Sequence, residues 1–344
     1  MGKSIMMLLH AGFVIILANA CASSSSIQAQ VLYQAVPAGT NMPDRAYSLL
    51  MKIPGQFLEL IGGSLPDKNG LVGDNKGGYR SPAFQRGAAR AMMNGILWND
   101  RRIIDDSLRA FDEVFKRQDG PGRFGGDNTP NGVAFWLCEA NQALLLMQES
   151  SLAADYAARV SSYIPKIHKA ALWLGQREQT ERLLREDASA PNRLIFDALA
   201  CALSGLLCKD ESLIQTGRMF LDRAMALYRA EDGVFLEKNG HDSSYQAVNA
   251  WLLQVWIIYF PEPTFEQAAA RAVRWEIGRI KEDGSVDTAG NTRTGLGQEM
   301  WQGRVKDVNF AEVLRCILYF RVRTGDTEAI QAATRLSNWI RQKK

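Results

Sequence analysis

Histidine is scarce in this 344-residue chain, with three residues in all. One of them, His10, lies in an apolar leader-like start, so a mature domain would keep His168 and His241, and a histidine-rich metal site is excluded. An excess of one charge is also lacking. Lys and Arg number 40 against 37 Asp and Glu, with both signs interspersed, which argues against a strongly basic nucleic-acid binder. No stretch alternates apolar and polar residues with period two, so no sheet is expected. A Walker loop, a dinucleotide-binding glycine fingerprint, a Gly-x-Ser-x-Gly elbow and a His-Glu-x-x-His pair are all missing. Asp283, Ser285 and Asp287 begin like a calcium loop, but Thr288 and Thr294 stand where its glycine and closing glutamate belong. Neither a metal nor a cofactor is expected.

What is present is a globular composition, 47% hydrophobic and 22% charged, long enough to bury a core without disulfides or metal staples. Lys3 precedes an apolar run from Ile5 to Leu17, followed by Ala18-Asn19-Ala20, a small-x-small cleavage pattern. Residues 1–20 read as a secretory signal peptide and 21–42 as a tether carrying Ser23 to Ser26, which places the mature protein in the periplasm or outside the cell. Cys21 directly after Ala20 also fits an acylated lipoprotein start, although Ala18 stands where such signals carry Leu. A lipid there would be the chain's one membrane contact. Cys138, Cys201, Cys208 and Cys316 sit in apolar helix-like runs without metal-like spacing and read as buried thiols.

Residues 43–344 read as a single helical domain. Ile104, Leu108, Phe111 and Phe115 step by four, three and four, the stripe of an amphipathic helix. Trp251 to Phe260 and Leu194 to Cys208 are apolar nearly all round, as helices enclosed by neighbours are. The two kinds alternate. Amphipathic helices are expected near 43–62, 100–117, 151–176, 211–229, 264–281 and 326–341; enclosed ones near 82–97, 132–149, 191–208, 244–260 and 307–324. The enclosed starts recur at a steady interval, the mark of a repeated unit. Gln118-Asp119-Gly120, Glu231-Asp232-Gly233 and Glu282-Asp283-Gly284 each close an amphipathic helix with a glycine stop.

Connection lengths alternate as well. Those from enclosed to amphipathic helix are short, around Asn99, Ser150, Lys209-Asp210, Pro261 to Pro263 and Gly325. Those in the other direction are long, over 63–81, 118–131, 177–190, 230–243 and 282–306. In a ring of antiparallel pairs every long connection emerges at one end, with the N-termini of the inner helices. This pattern, with the turns Arg117-Gln118-Asp119-Gly120…Phe124-Gly125-Gly126 and Glu231-Asp232-Gly233-Val234-Phe235, resembles the (α/α) toroids of carbohydrate-active enzymes, closest in type to alginate-lyase-like polysaccharide lyases. The resemblance covers residues 43–341 and implies an all-α toroid of about five to six inner–outer hairpins.

Polar residues cluster where the long connections enter the inner helices. The densest run is Glu237 to Gln246, with His241, Asp242 and Tyr245, although Asp242 or Ser243 would also serve as a plain helix cap. Asn192 and Arg193 open the preceding inner helix. Arg293, Glu299, Trp301, Arg304 and Asp307 lie in the longest connection, Arg123, Asp127 and Asn128 in another, and Lys76, Tyr79 and Arg80 in a third. Helix N-termini favour anions, and Arg80, Arg193, Arg293 and Arg304 add positive charge, so a carboxylated ligand is expected there. Trp301, Tyr79 and Tyr245 offer faces to sugars.

The leading expectation is an exported lyase cutting a uronate-containing polysaccharide by β-elimination. The resemblance implies Asn192 and Arg193 neutralising the carboxylate, His241 as base and Tyr245 as acid. Substrate contacts would come from Arg80, Tyr79, Asp127, Asp242, Arg293, Glu299, Trp301 and Arg304. A glycoside hydrolase on the same scaffold would need two carboxyls, such as Asp242 with Asp127 or Glu299. A glycan-binding envelope protein without catalysis is the third class.

Overall fold

The computed structural model describes residues 45–126, 129–297, 299–301 and 303–343, without the Trp301 side chain. The expected leader, tether and Cys21 lie outside the described residues, as does Asp127. Everything described belongs to one compact unit, Met42–Lys344.

Five long helices form an inner ring: α3 (Arg86–Trp98), α5 (Pro130–Glu149), α8 (Pro191–Cys208), α10 (Ser243–Tyr259) and α12 (Phe310–Thr324). Each is followed by an outer partner: α4 (Arg101–Lys116), α6 (Ala153–Leu174), α9 (Glu211–Met225), α11 (Pro263–Gly278) and α13 (Thr327–Lys343). Successive inner helices pack side by side. The ring is closed by the short α2 (Gly55–Ile61), which follows α1 (Tyr47–Leu50) across Pro54. Asn94 of α3 donates to Leu58 O at 2.7 Å, and Arg315 of α12 donates to Ile61 O, so α2 is tied to both open edges. The fold is thus an all-α (α/α) toroid of five full pairs plus one short helix in the sixth place. The single amphipathic helix expected over 43–62 is split, because Pro54 cannot continue a helix begun before it.

Each element follows from local chemistry. Asp100 caps α4 by accepting from the backbone of Arg102 and Ile103, and the stripe Ile104, Leu108, Phe111 and Phe115 is buried. α8 is long and apolar enough to cross a membrane by length and composition, yet 89% of that window is buried inside the ring. Hydrophobic burial in the core explains its composition.

The long connections carry more structure than expected. Residues 177–190 contain a helix, α7 (Arg177–Glu186); 228–235 form the hairpin β1 (Tyr228–Arg229) and β2 (Val234–Phe235); and 300–305 form β3 (Met300–Trp301) and β4 (Arg304–Val305). The outer-helix stops recur as a structural motif. Gly233 and Gly284, and Gly70 in the connection after α2, all have positive φ and sit against a backbone carbonyl of the next outer helix, at Arg271, Arg335 and Arg109. In the Gln118-Asp119-Gly120 turn that role falls to Gly122, with φ +111 against Lys169 O; Gly120 meets open space. After the glycine an apolar residue, Phe124, Phe235 or Val286, folds into the core.

Adjacent long connections touch one another. Lys238 N–H reaches Ser189 O at 3.3 Å, Thr292 N–H reaches His241 O at 2.9 Å, and Gly126 abuts Arg80 O. They gather around the N-termini of the inner helices.

Candidate active site at the mouth of the ring

Asp242 organises one side of this mouth. It is 1% exposed and caps α10 through the backbone of Ser244 and Tyr245. Its second oxygen accepts from Arg293 N at 2.9 Å and Thr294 N at 2.8 Å, and Thr294 Oγ1 donates to the first at 2.9 Å. Five donors occupy this carboxylate and fasten the 282–306 connection to α10. Arg293 is thereby set above the Tyr245 ring, 4.2 Å from its centroid. Its guanidinium binds Glu299 at 2.6 and 2.8 Å and Glu237 at 2.5 Å. Lys306 donates to the Tyr245 hydroxyl and, at 3.1 Å, to Glu299. Hydrogen bonds from Arg293, helped by Lys306 against a smaller burial effect, hold Glu299 down to about 2. Glu237 behaves oppositely. Burial pushes its carboxyl up despite Arg293, and its Oε2 has no hydrogen-bond partner.

The other side is built at the start of α8. Arg193, 43% exposed, pairs at 3.1 Å with Asp187, which is fully buried. Burial raises the Asp187 carboxyl above its ordinary range, while Arg193 and a hydrogen bond from Asn131 pull it back. Its Oδ2 is without a partner, as are Oδ1 of Asn131 and Oδ1 of Asn192. Deeper in α8, Asp197 is wholly buried with neither oxygen bonded, and burial with the nearby Asp187 drives its proton affinity well up.

Below the mouth, on the ring axis, Arg86 lies 5.3 Å from the Phe135 centroid and 5.9 Å from that of Phe196. One turn further along α3, Arg90 binds Glu139 at 2.8 Å and Glu312 at 2.6 Å. Arg315 completes the group through Glu312 at 2.9 Å, over the Trp251 ring. Burial opposes the Glu312 charge, but Arg90, Arg315 and Arg86 outweigh it and hold that carboxyl at about 2. A cavity of about 20 Å³ beside Glu139 is the free space left here, room for roughly one water.

The structure therefore brings Asn192, Arg193, Asp242, Tyr245, Arg293 and Glu299 to the mouth. Burial, more than Arg293 can offset, raises the Tyr245 hydroxyl. His241 turns elsewhere. Its Nε2 is 3.3 Å from Ala289 O and its ring packs edge-on against Trp275 of the outer helix α11, at 5.3 Å. Tyr79 is half-buried with Arg117 covering one ring face at 4.4 Å, so that face is closed to a sugar. Arg80 and Arg304 are exposed on the surrounding connections. The Trp301 side chain and Asp127 lie outside what is described. Asp283 accepts from Ser285, and among the described residues no cluster of His, Cys, Asp or Glu could hold a metal ion. Sequence reasoning missed Asp187, Asp197, Arg86 and Arg90. For Asp197 and Arg90 the signal was available, a charge inside a helix otherwise largely apolar; Asp187 follows the polar α7 and Arg86 opens α3, where a charge is ordinary.

No family model matches the sequence, and no curated protein matches it. Solved structures do share the fold. One, a UGL variant with dGlcA-Glc-Rha-Glc, is 14% identical, covers 88% of this chain and 85% of its own, and gives a TM-score of 0.55. Another, the unsaturated glucuronyl hydrolase from Bacillus sp. GL1, described as responsible for the degradation of glycosaminoglycan, is 13% identical over 88% and 85%, with a TM-score of 0.53. At such identities the likeness establishes a shared toroid.

Proposed function

We propose that the protein hydrolyses a uronate-containing oligosaccharide at this mouth, with Asp187 as proton donor, Glu237 as the second carboxyl and Arg193 between them orienting the sugar. One observation carries the reading. Asp187 and Glu237 both have proton affinities raised by burial, both feel Arg193, and each keeps one oxygen without a partner. A carboxyl kept protonated is what departure of a glycosidic oxygen requires; the second, Glu237, must be ionised to take the proton of the attacking water, with Arg293 on its Oε1 to hold that charge and a raised proton affinity to make it the stronger base. The substrate class also agrees with the fold neighbours, one holding dGlcA-Glc-Rha-Glc and one described as an unsaturated glucuronyl hydrolase responsible for the degradation of glycosaminoglycan. Elimination has weaker support, because His241 is engaged by Ala289 and Trp275; the donors that fill Asp242 speak against the hydrolase pairs built on that residue.

The test is incubation with an unsaturated glucuronyl disaccharide and, separately, with intact anionic polysaccharides. Hydrolysis of the disaccharide frees the unsaturated uronate, whose ring opens and whose enol rearranges to the keto acid, so ultraviolet absorbance falls as reducing ends appear. Asp187→Asn should slow this by about 10²–10⁴-fold while leaving the helical fold intact. Rising absorbance on intact polysaccharide would mean a lyase; binding without product from either substrate would mean a glycan-binding protein.

A further inference from the structure

The axial cluster does not balance. Three guanidinium groups, Arg86, Arg90 and Arg315, face two carboxylates, Glu139 and Glu312. Arg90 takes both carboxylates, and Arg315 takes Glu312 together with the Ile61 carbonyl. Among the described residues the Arg86 guanidinium makes no hydrogen bond or ion pair; two phenyl rings lie beside it, and Glu139 and Glu312 act on it only at a distance. Burial and the repulsion of Arg90 both work against its charge. Aromatic faces attract a cation but do not neutralise it, and an unpaired buried charge is costly. Arg86 is nonetheless half-buried, as is Phe135, at the first turn of α3 where the axis opens to the mouth. Asn131 Oδ1 on α5 and Asn192 Oδ1 on α8, both unpartnered, stand at the same end of the inner ring.

We propose that Arg86 is the floor of the substrate site and binds the carboxylate of a hexuronate, completing the charge balance of the axis. This rests on the reading that the mouth takes a uronate-containing glycan. A carboxylate matches the two-pronged guanidinium edge. The Phe135 face would lie against the apolar face of the sugar ring, and the two asparagine oxygens would accept from its hydroxyls.

The test reads binding, not turnover. D-glucuronate, D-glucose and inorganic sulfate are titrated against wild type, Arg86→Met, Arg86→Lys and Arg193→Gln, following melting temperature and calorimetric affinity. Wild type should be stabilised by glucuronate and not by glucose. Arg86→Met should lose about tenfold or more in glucuronate affinity and, relieved of its unpaired charge, melt higher than wild type when empty. Arg86→Lys keeps the charge without the fork and should fall between. Equal responses to sulfate and glucuronate would overturn the carboxylate assignment. So would undiminished glucuronate binding in Arg86→Met, or in Arg86→Lys should the methionine variant not fold, with its loss in Arg193→Gln. Arg86-dependent glucuronate binding without turnover of any glycan upholds this proposal and defeats the hydrolase; turnover that survives Arg86→Met with unchanged affinity does the reverse.

Discussion

The axis and the mouth of this toroid are built from the same residue types, and Glu312 on the axis is treated oppositely to Asp187 and Glu237 at the mouth. On the axis, Glu312 sits among guanidinium groups that overcome its burial and keep it ionised down to about 2. At the mouth, one layer above, Asp187 and Glu237 each touch a single arginine, burial wins, and the proton is retained more firmly than usual. Counting ion pairs would class both as salt-bridge networks. What separates Glu312 from Asp187 and Glu237 is that two arginines serve it and both its oxygens are engaged, whereas those two, like Glu139 on the axis, keep one oxygen without a partner. A carboxylate claimed by two arginines belongs to the scaffold; a half-satisfied buried carboxyl can still exchange a proton with something else.

If that division holds, damage to the axis should cost the fold. Arg90→Met strands Glu139 and Glu312 without their shared cation, and unfolding in denaturant should show a loss of about 3–5 kcal/mol. A loss under about 1 kcal/mol would mean that the axis is no more structural than the mouth.

Asp242 makes the next cut, because both its oxygens are spent on fastening the mouth. Asp242→Ala removes a helix cap and the anchors of Arg293 and Thr294, which should cost about 2–3 kcal/mol. Protection of the 291–294 amides from hydrogen exchange should fall further than that of α10.

The pH dependence of stability separates the two kinds of carboxyl. Glu276 on α11 is wholly buried with both oxygens unbonded, and burial drives its proton affinity well up. Its contribution is full below the ordinary carboxylate range and is lost as pH rises through the raised value. Wild type should therefore lose up to about 1.4 kcal/mol per pH unit relative to Glu276→Gln across that window. Glu312 works in the other direction: its contribution is present above the ordinary range and disappears as pH falls toward about 2. Parallel stability curves for wild type and Glu276→Gln would show that Glu276 titrates normally.

The smallest effect is expected in the outer turns. Gly284→Ala forces a side chain onto φ +85 against Arg335 O and should cost at least about 1 kcal/mol, whereas Gly120→Ala points into open space and should stay within about 0.5 kcal/mol. Thermal melts of the two variants suffice to check this.

The sequence by itself determined the alternation of enclosed and amphipathic helices, the long connections at one end and the inner-helix starts, because hydrophobic period and loop length are properties of consecutive residues. It also marked Asn192, Arg193, Tyr245, Arg293 and Glu299 as residues of the mouth. Side-chain direction was not legible. His241 stands one residue before the cap of α10, and only the packing of the 282–306 connection turns its ring toward Trp275 on the outer layer. Asp242 could be read as a cap or as an acid until the backbone of Arg293 and Thr294, some fifty residues on, filled its second oxygen. The surplus charge of Arg86 is likewise a sum over α3, α5 and α12. Ionisation and pairing depend on what the ring brings within a few ångströms, and that distance is set by tertiary closure, which no local period encodes.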